Sequence, residues 1–137
     1  MEPAIPFILI DDSEIDNFIH QRLINTNVPQ AAIRAFTNAD EGLQHIRSEF
    51  AKPDAPDAIL FLDLIMPINS GWDFMENFDK LDTKIKQLFK IYVLSSSKDS
   101  RDVERAHANN YIIEYIIKPL TDKKIVSIVT EYPLKSP

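Results

Sequence analysis

The sequence predicts a doubly wound α/β fold, a five-stranded parallel sheet covered by five helices on both faces, and three observations lead there. Apolar runs of strand length recur at Phe7 to Ile10, Ala32 to Phe36, Ile59 to Leu62, Ile91 to Leu94 and Tyr115 to Ile117. Stretches of helical spacing separate them, and strict alternation favours parallel strands, because each parallel pair needs a crossover helix that buries its stripe on the sheet. The third run has no polar residue alternating with apolar ones, the pattern of a strand buried on both faces. The flavodoxin-like strand order 2-1-3-4-5 comes with this fold class and is not itself visible in the residues.

The elements follow in order. The first helix starts at Ser13, a good N-cap, and Ile15, Phe18, Ile19 and Leu23 fall on one of its faces. The second, from about Asp40, buries Leu43, Ile46 and Phe50. "RSEFAKPDAPDA", with two prolines, reads as an exposed loop before the third strand. Met66, Pro67, Asn69, Ser70 and Gly71 carry turn chemistry, so the chain leaves the sheet after the third strand. The third helix follows with Trp72, Met75 and Phe78. The fourth, about Ser100 to Asn109, is mostly polar, with Val103 and Ala106 inward. The last starts near Thr121, placed after Pro119 as an N-cap, and offers Ile125, Ile128 and Val129 to the sheet. "EYPLKSP" is a short tail.

The 137 residues suit a single domain over 1–137, with its core at about 5–132. A formal charge of -6 argues against a nucleic-acid footprint, which normally shows as a basic patch. Without cysteine there is no disulfide framework, thiolate metal site or Cys nucleophile. The start "MEPAIPFILIDDSE" lacks a basic leader and a long apolar span, so a cytoplasmic protein without membrane insertion is expected.

The chemistry lies at the strand ends. The first strand ends in Asp11 and Asp12, the third in Asp63, the fourth in Ser95, Ser96 and Ser97, and the fifth in Lys118 before Pro119. In a parallel sheet these ends share one edge. Taken alone, "DD" before a helix is commonly a turn complementing the helix dipole, "SSSKDS" a capping segment and "KP" a strand exit. Asp63 differs, since a carboxylate closing a buried strand costs several kcal/mol of desolvation unless it is paired. Three ionised Asp repel one another, and one Lys is too little to relieve them. A hard divalent ion with oxygen ligands, Mg2+ or Mn2+, brings the formal sum to zero and suits assisted phosphoryl transfer.

"ILIDDSE", "ILFLDLIMPINSG", "IYVLSSS" and "YIIKPL", in this order, resemble a response-regulator receiver domain, the phosphoacceptor module of bacterial two-component signalling, of the stand-alone chemotaxis-regulator-like kind. The resemblance spans Phe7 to about Val129. It implies that Asp63 accepts a phosphoryl group from a histidine kinase or a histidine phosphotransfer protein. It further implies that Asp11 and Asp12 position Mg2+, with Asp12, Asp63 and the backbone carbonyl of Ile65 as direct ligands. Ser95 matches the hydroxyl that reads the phosphoryl oxygen, Lys118 the family's lysine, and Tyr115 the aromatic switch position. The surface of the fourth helix, fifth strand and fifth helix is then expected to be the output, read by a separate protein, as no effector module is expected after the last helix.

Three departures accompany the resemblance. Ser95 stands where threonine is commoner and keeps the hydroxyl. Tyr111 and Ile112 replace the usual Gly and Ala, so Asn109 or Asn110 is expected to supply a left-handed turn. Ile65 is apolar where many relatives are polar, and is expected to shield an acyl phosphate from water. Two competing readings stay open: an interaction module of the same fold that phosphate does not switch, and an aspartate-nucleophile phosphatase. The latter needs a second acid two residues after the nucleophile, where Ile65 stands. A nucleotide or flavin site lacks a Gly-rich phosphate loop, since the glycines are Gly42 and Gly71.

Overall fold

The computed structural model describes residues 4–66 and 70–132. Pro67 and Asn69 of the expected turn, and the tail residues 133–137, lie outside the described residues. Five parallel strands, β1 (Ile5–Ile10), β2 (Ala31–Phe36), β3 (Ala58–Leu62), β4 (Phe89–Ser95) and β5 (Ile112–Ile117), form one sheet in the order β2-β1-β3-β4-β5. Between and after them run α1 (Glu14–Asn27), α2 (Ala39–Glu49), α3 (Gly71–Asp79), α4 (Thr83–Lys86), α5 (Ser100–Ala108) and α6 (Asp122–Glu131). The fold class and strand order are those expected. The short α4, capped by Asp82, adds one helical turn to the five foreseen, so the predicted fourth and fifth helices are α5 and α6.

The unbroken apolar runs follow from the two cores. Ile8, Ile10, Leu60, Leu62, Ile91 and Val93 face one core with α2, α3 and α5. Phe7, Leu9, Ile59, Phe61, Tyr92 and Leu94 face the other with α1 and α6. Successive side chains on a strand point to opposite faces, so a central strand covered on both sides must be apolar throughout.

The structure corrects two local expectations. The apolar face of α1 does not turn inward: Ile15, Phe18 and Ile19 are 72%, 59% and 53% exposed, and Asn17, His20 and Ile24 are buried instead. Of the two asparagines expected to supply a left-handed turn after α5, Asn109 or Asn110, Asn109 does not, its backbone being extended at φ -89° and ψ 123°. The Asn109 side chain accepts the Tyr111 N–H at 2.8 Å, and the Tyr111 ring packs edge-on against Phe78 with centroids 5.6 Å apart. An Asx turn thus replaces the small residues usual there, and the aromatic ring anchors it. β5 also begins earlier than the run Tyr115 to Ile117. Glu114, which interrupts the apolar pattern, is tolerated on this edge strand because Lys124 of α6 pairs with it at 2.6 Å.

Candidate functional site

At the carboxyl edge of the sheet, backbone hydrogen bonds reach one residue beyond the strands and fix the polar side chains that end them. The Asp11 N–H donates to the Phe36 carbonyl at 3.0 Å, the Asp63 N–H to Ile10 at 2.9 Å, and the Lys118 N–H to Ser95 at 2.9 Å. The expected residues therefore converge. Lys118 Nζ donates to Asp11 Oδ2 at 2.8 Å and to Asp63 Oδ2 at 3.3 Å, and one carboxylate oxygen each of Asp11, Asp12 and Asp63 lie within 4.8 Å of one another. Asp11 and Asp63 are buried, while Asp12 is exposed at the rim. The second oxygen of Asp63 is held by the Ile65 N–H at 3.1 Å, with the Ile65 side chain outward.

Gly71 permits this turn to close. A Cβ there would lie 2.6 Å from the Asp63 carbonyl and 2.7 Å from the Leu64 Cα, closer than backbone allows. Its N–H donates to the Leu64 carbonyl at 3.1 Å, and Ser70 and Asp73 cap α3 reciprocally. The start of α3 is therefore packed against the backbone of Asp63 and Leu64.

Three inward residues of α1 complete the hollow and were not foreseen. Asp16 Oδ2 accepts from Lys118 Nζ at 2.7 Å. Asn17 Nδ2 donates to the carbonyls of Asp11 at 3.0 Å and Phe36 at 3.3 Å, while its buried Oδ1 has no partner among the described residues. Asn17, His20, Asp11 and Asp63 help line a cavity of about 10 Å³, room for at most about one water. The one available signal was positional: Asp16 and Asn17 lie within a turn of Ser13, hence near the sheet edge, but their inward direction depends on how α1 is rotated.

Burial pushes the Asp11 carboxyl above its ordinary range, against the opposing pull of the hydrogen bond from Lys118. For Lys118, burial acts to lower the pKa, but hydrogen bonds to Asp11 and Asp16 and the charge of Asp63 outweigh it, so the net shift is upward. His20 is lowered, by burial first and then by Lys118. The lysine is thus a fixed cation. With Asp16 included, the edge gathers four carboxylates and one ammonium, which pairs with Asp11, Asp16 and Asp63, and a divalent ion would leave a formal charge of -1, not the zero expected from three acids. This set of hard oxygens with excess negative charge fits Mg2+ or Mn2+.

The Ser95 side chain is fully buried, and its Oγ accepts the Ser97 N–H at 3.2 Å. Ser97 ties this loop outward. Its Oγ donates to Asp102 at 3.0 Å, Asp102 also accepts from Trp72 Nε1 at 3.1 Å, and its carbonyl accepts from Tyr115 Oη at 2.8 Å. Ser95 and Tyr115 are accordingly joined through one loop residue.

The family described as response regulator receiver domain matches residues 7–130. Among solved structures, a response regulator receiver protein from Dyadobacter fermentans is 31% identical, with TM-score 0.83 over 93% of this chain and 96% of the other. A two-component response regulator from Cytophaga hutchinsonii is 26% identical, with TM-score 0.84 over 95% and 97%. A CheX–CheY–BeF3–Mg2+ complex from Borrelia burgdorferi shares the fold at 19% identity, with TM-score 0.72 over 93% and 88%. No curated protein matches the chain.

Proposed function

Because the chain belongs to the response regulator receiver domain family, we propose that it is a phosphoacceptor in which Asp63 takes a phosphoryl group from a histidine kinase or a histidine phosphotransfer protein. The observation that carries this is the convergence of Asp11, Asp12, Asp63 and Lys118 at the carboxyl edge of the sheet. An Asp63 carboxylate oxygen attacks phosphorus in line, the bond from phosphorus to the donor imidazole nitrogen breaks as the new oxygen–phosphorus bond forms, and the imidazole regains its proton balance from solvent. Asp63 is oriented for this by its two hydrogen bonds, from Ile65 N–H and Lys118 Nζ. Lys118 then stands beside the developing charge on the phosphoryl oxygens. Asp11, Asp12, Asp63 and the Ile65 carbonyl would hold Mg2+, or Mn2+ in its place, which when bound supplies further charge neutralisation at those oxygens. The protein is a signalling acceptor; its self-catalysed transfer and slow loss of phosphate are the extent of its catalysis.

Phosphorylation adds charge and new acceptor oxygens at Asp63. In this reading the Ser95 hydroxyl releases Ser97 to reach one of them, and Tyr115 follows the loop to which its hydroxyl is bonded. The α5, β5 and α6 surface thereby changes for a separate downstream protein. The exposed Ile15, Phe18 and Ile19 of α1, beside the hollow, form the seat for the protein donor. Among the described residues no helix is long and apolar enough to cross a membrane. The proposed place of action is the cytoplasm, and the net charge of -6 disfavours nucleic acid as a partner.

Beryllofluoride with Mg2+ tests the reading. Amide resonances of Asp63, Ser95 to Ser97 and Tyr115 are expected to shift in the wild type and stay put in Asp63→Asn. No shift in the wild type favours an interaction module that phosphate does not switch. Incubation with candidate histidine kinases and ATP then identifies the donor by the fastest Asp63-dependent labelling.

A further inference from the structure

Asp16 has no part in the receiver reading, yet it makes the shortest of the three ion pairs to Lys118, 2.7 Å against 2.8 Å for Asp11 and 3.3 Å for Asp63. An ammonium has three hydrogens, and these carboxylates occupy all of them. A phosphoryl oxygen on Asp63 can take over the hydrogen of the longest contact, that of Asp63 itself, but gains a second one from Lys118 only if Asp11 or Asp16 lets go. Asp11 is the wrong one to release: its side chain is 5% exposed and its carbonyl is pinned by Asn17. Asp16 is on the rim, with its side chain 37% exposed, so water can replace the lysine at its carboxylate at small cost. It is also the acid that takes the hollow from neutrality to a formal -1 once a divalent ion is counted.

Taking the receiver reading as its premise, we infer that Asp16 is a positioning and specificity residue: it holds Lys118 in the resting state and repels small anionic phosphodonors from Asp63. A donor held by a protein surface brings docking energy that offsets the repulsion, and the apolar Ile15 and Ile19 flank Asp16 on the same helix. A free acyl phosphate brings none. Asp16 thereby favours a docked donor over the metabolite-sized anions that share its chemistry.

The test compares wild type, Asp16→Asn and Asp16→Glu at saturating Mg2+, reading the second-order rate of Asp63 labelling by mass spectrometry. Acetyl phosphate, a dianion at neutral pH, loses its phosphorus–oxygen bond to acetate as the Asp63 oxygen–phosphorus bond forms; phosphoramidate carries less net charge. Asp16→Asn is expected to speed labelling by acetyl phosphate about three- to tenfold, the size of one partly screened charge at close range. Labelling by phosphoramidate should gain less, both gains should shrink as ionic strength rises, and Asp16→Glu should restore the wild-type rate. A purely structural role moves both donors equally and ignores salt. An unchanged or slower rate with acetyl phosphate in Asp16→Asn, or a gain equal for both donors, overturns the inference while leaving the receiver reading intact. A wild type that neither of these donors nor a phosphorylated histidine phosphotransfer protein labels overturns the receiver reading and this inference with it.

Discussion

Helices α1 and α3 pack on opposite faces of one sheet, and both carry large apolar residues at helical spacing, yet they direct them oppositely. α3 turns Phe74, Met75 and Phe78 into the core and leaves Asp73 and Glu76 toward solvent. α1 turns Asn17 and His20 inward and leaves Ile15, Phe18 and Ile19 outside. The difference lies in what each helix meets. Beyond its glycine start, α3 rests on apolar strand faces, whereas the first turns of α1 cross the sheet edge, where Lys118 and the carbonyls of Asp11 and Phe36 need partners. Buried polar groups must be satisfied, so at that edge hydrogen bonding decides the rotation of the helix and the apolar stripe is left facing solvent.

Removing a ring from the inward face of α3 should have the largest effect on stability. Phe78→Ala empties a fully buried site that touches Phe74, Phe89 and Tyr111, and about 3–5 kcal/mol of unfolding free energy should disappear in urea titration. On α1 the inward position is polar, so the cost is that of hydrogen bonds instead: Asn17→Ala should lose about 1–3 kcal/mol and slow Asp63 labelling through the displaced Asp11 backbone. Replacing Ile15, Phe18 and Ile19 by Ser should change stability by no more than about 0.5 kcal/mol per site. The same variant should slow transfer from the cognate kinase far more than labelling by acetyl phosphate; equal slowing would mean that the outer face of α1 is not a donor seat.

The smallest effect is one of pH. His20 on α1 and His45 on α2 both have pKa values lowered from 6.5, in each case by burial first, then by Lys118 for His20 and Arg34 for His45. The native state binds these protons less readily than the unfolded chain, so their contribution is present above pH 6.5 and is lost as pH falls through the lowered values. Melting temperature should decline on acidification below pH 6.5, and the decline should be shallower in His45→Gln, which takes away the ring between Phe36 and Phe50.

The sheet was legible because a strand covered on both faces has to be apolar at every position, and Ile59 to Leu62 is. Asp63 and Lys118 were legible for a related reason: a charge that ends such a run must lie at the sheet edge, and parallel strands bring all those edges together. Asp16 and Asn17 were not, because their partners are a lysine 102 residues away and a carbonyl 19 residues away, and helical spacing alone points the other face inward. Asn109 misled in a similar way. An asparagine after a helix commonly takes the left-handed conformation, but here its side chain serves the Tyr111 N–H, and that contact depends on a ring packed against α3.

Asp63 is the proposed destination of the phosphoryl group, and one measurement addresses this without intermediaries. After incubation with acetyl phosphate and Mg2+, the protein is reduced with borohydride, which converts an aspartyl phosphate to homoserine, and its peptides are mapped by mass. Homoserine at position 63, absent from Asp63→Asn, is the predicted result; an unreduced Asp63, or homoserine at Asp11, Asp12 or Asp16 in its stead, would contradict it.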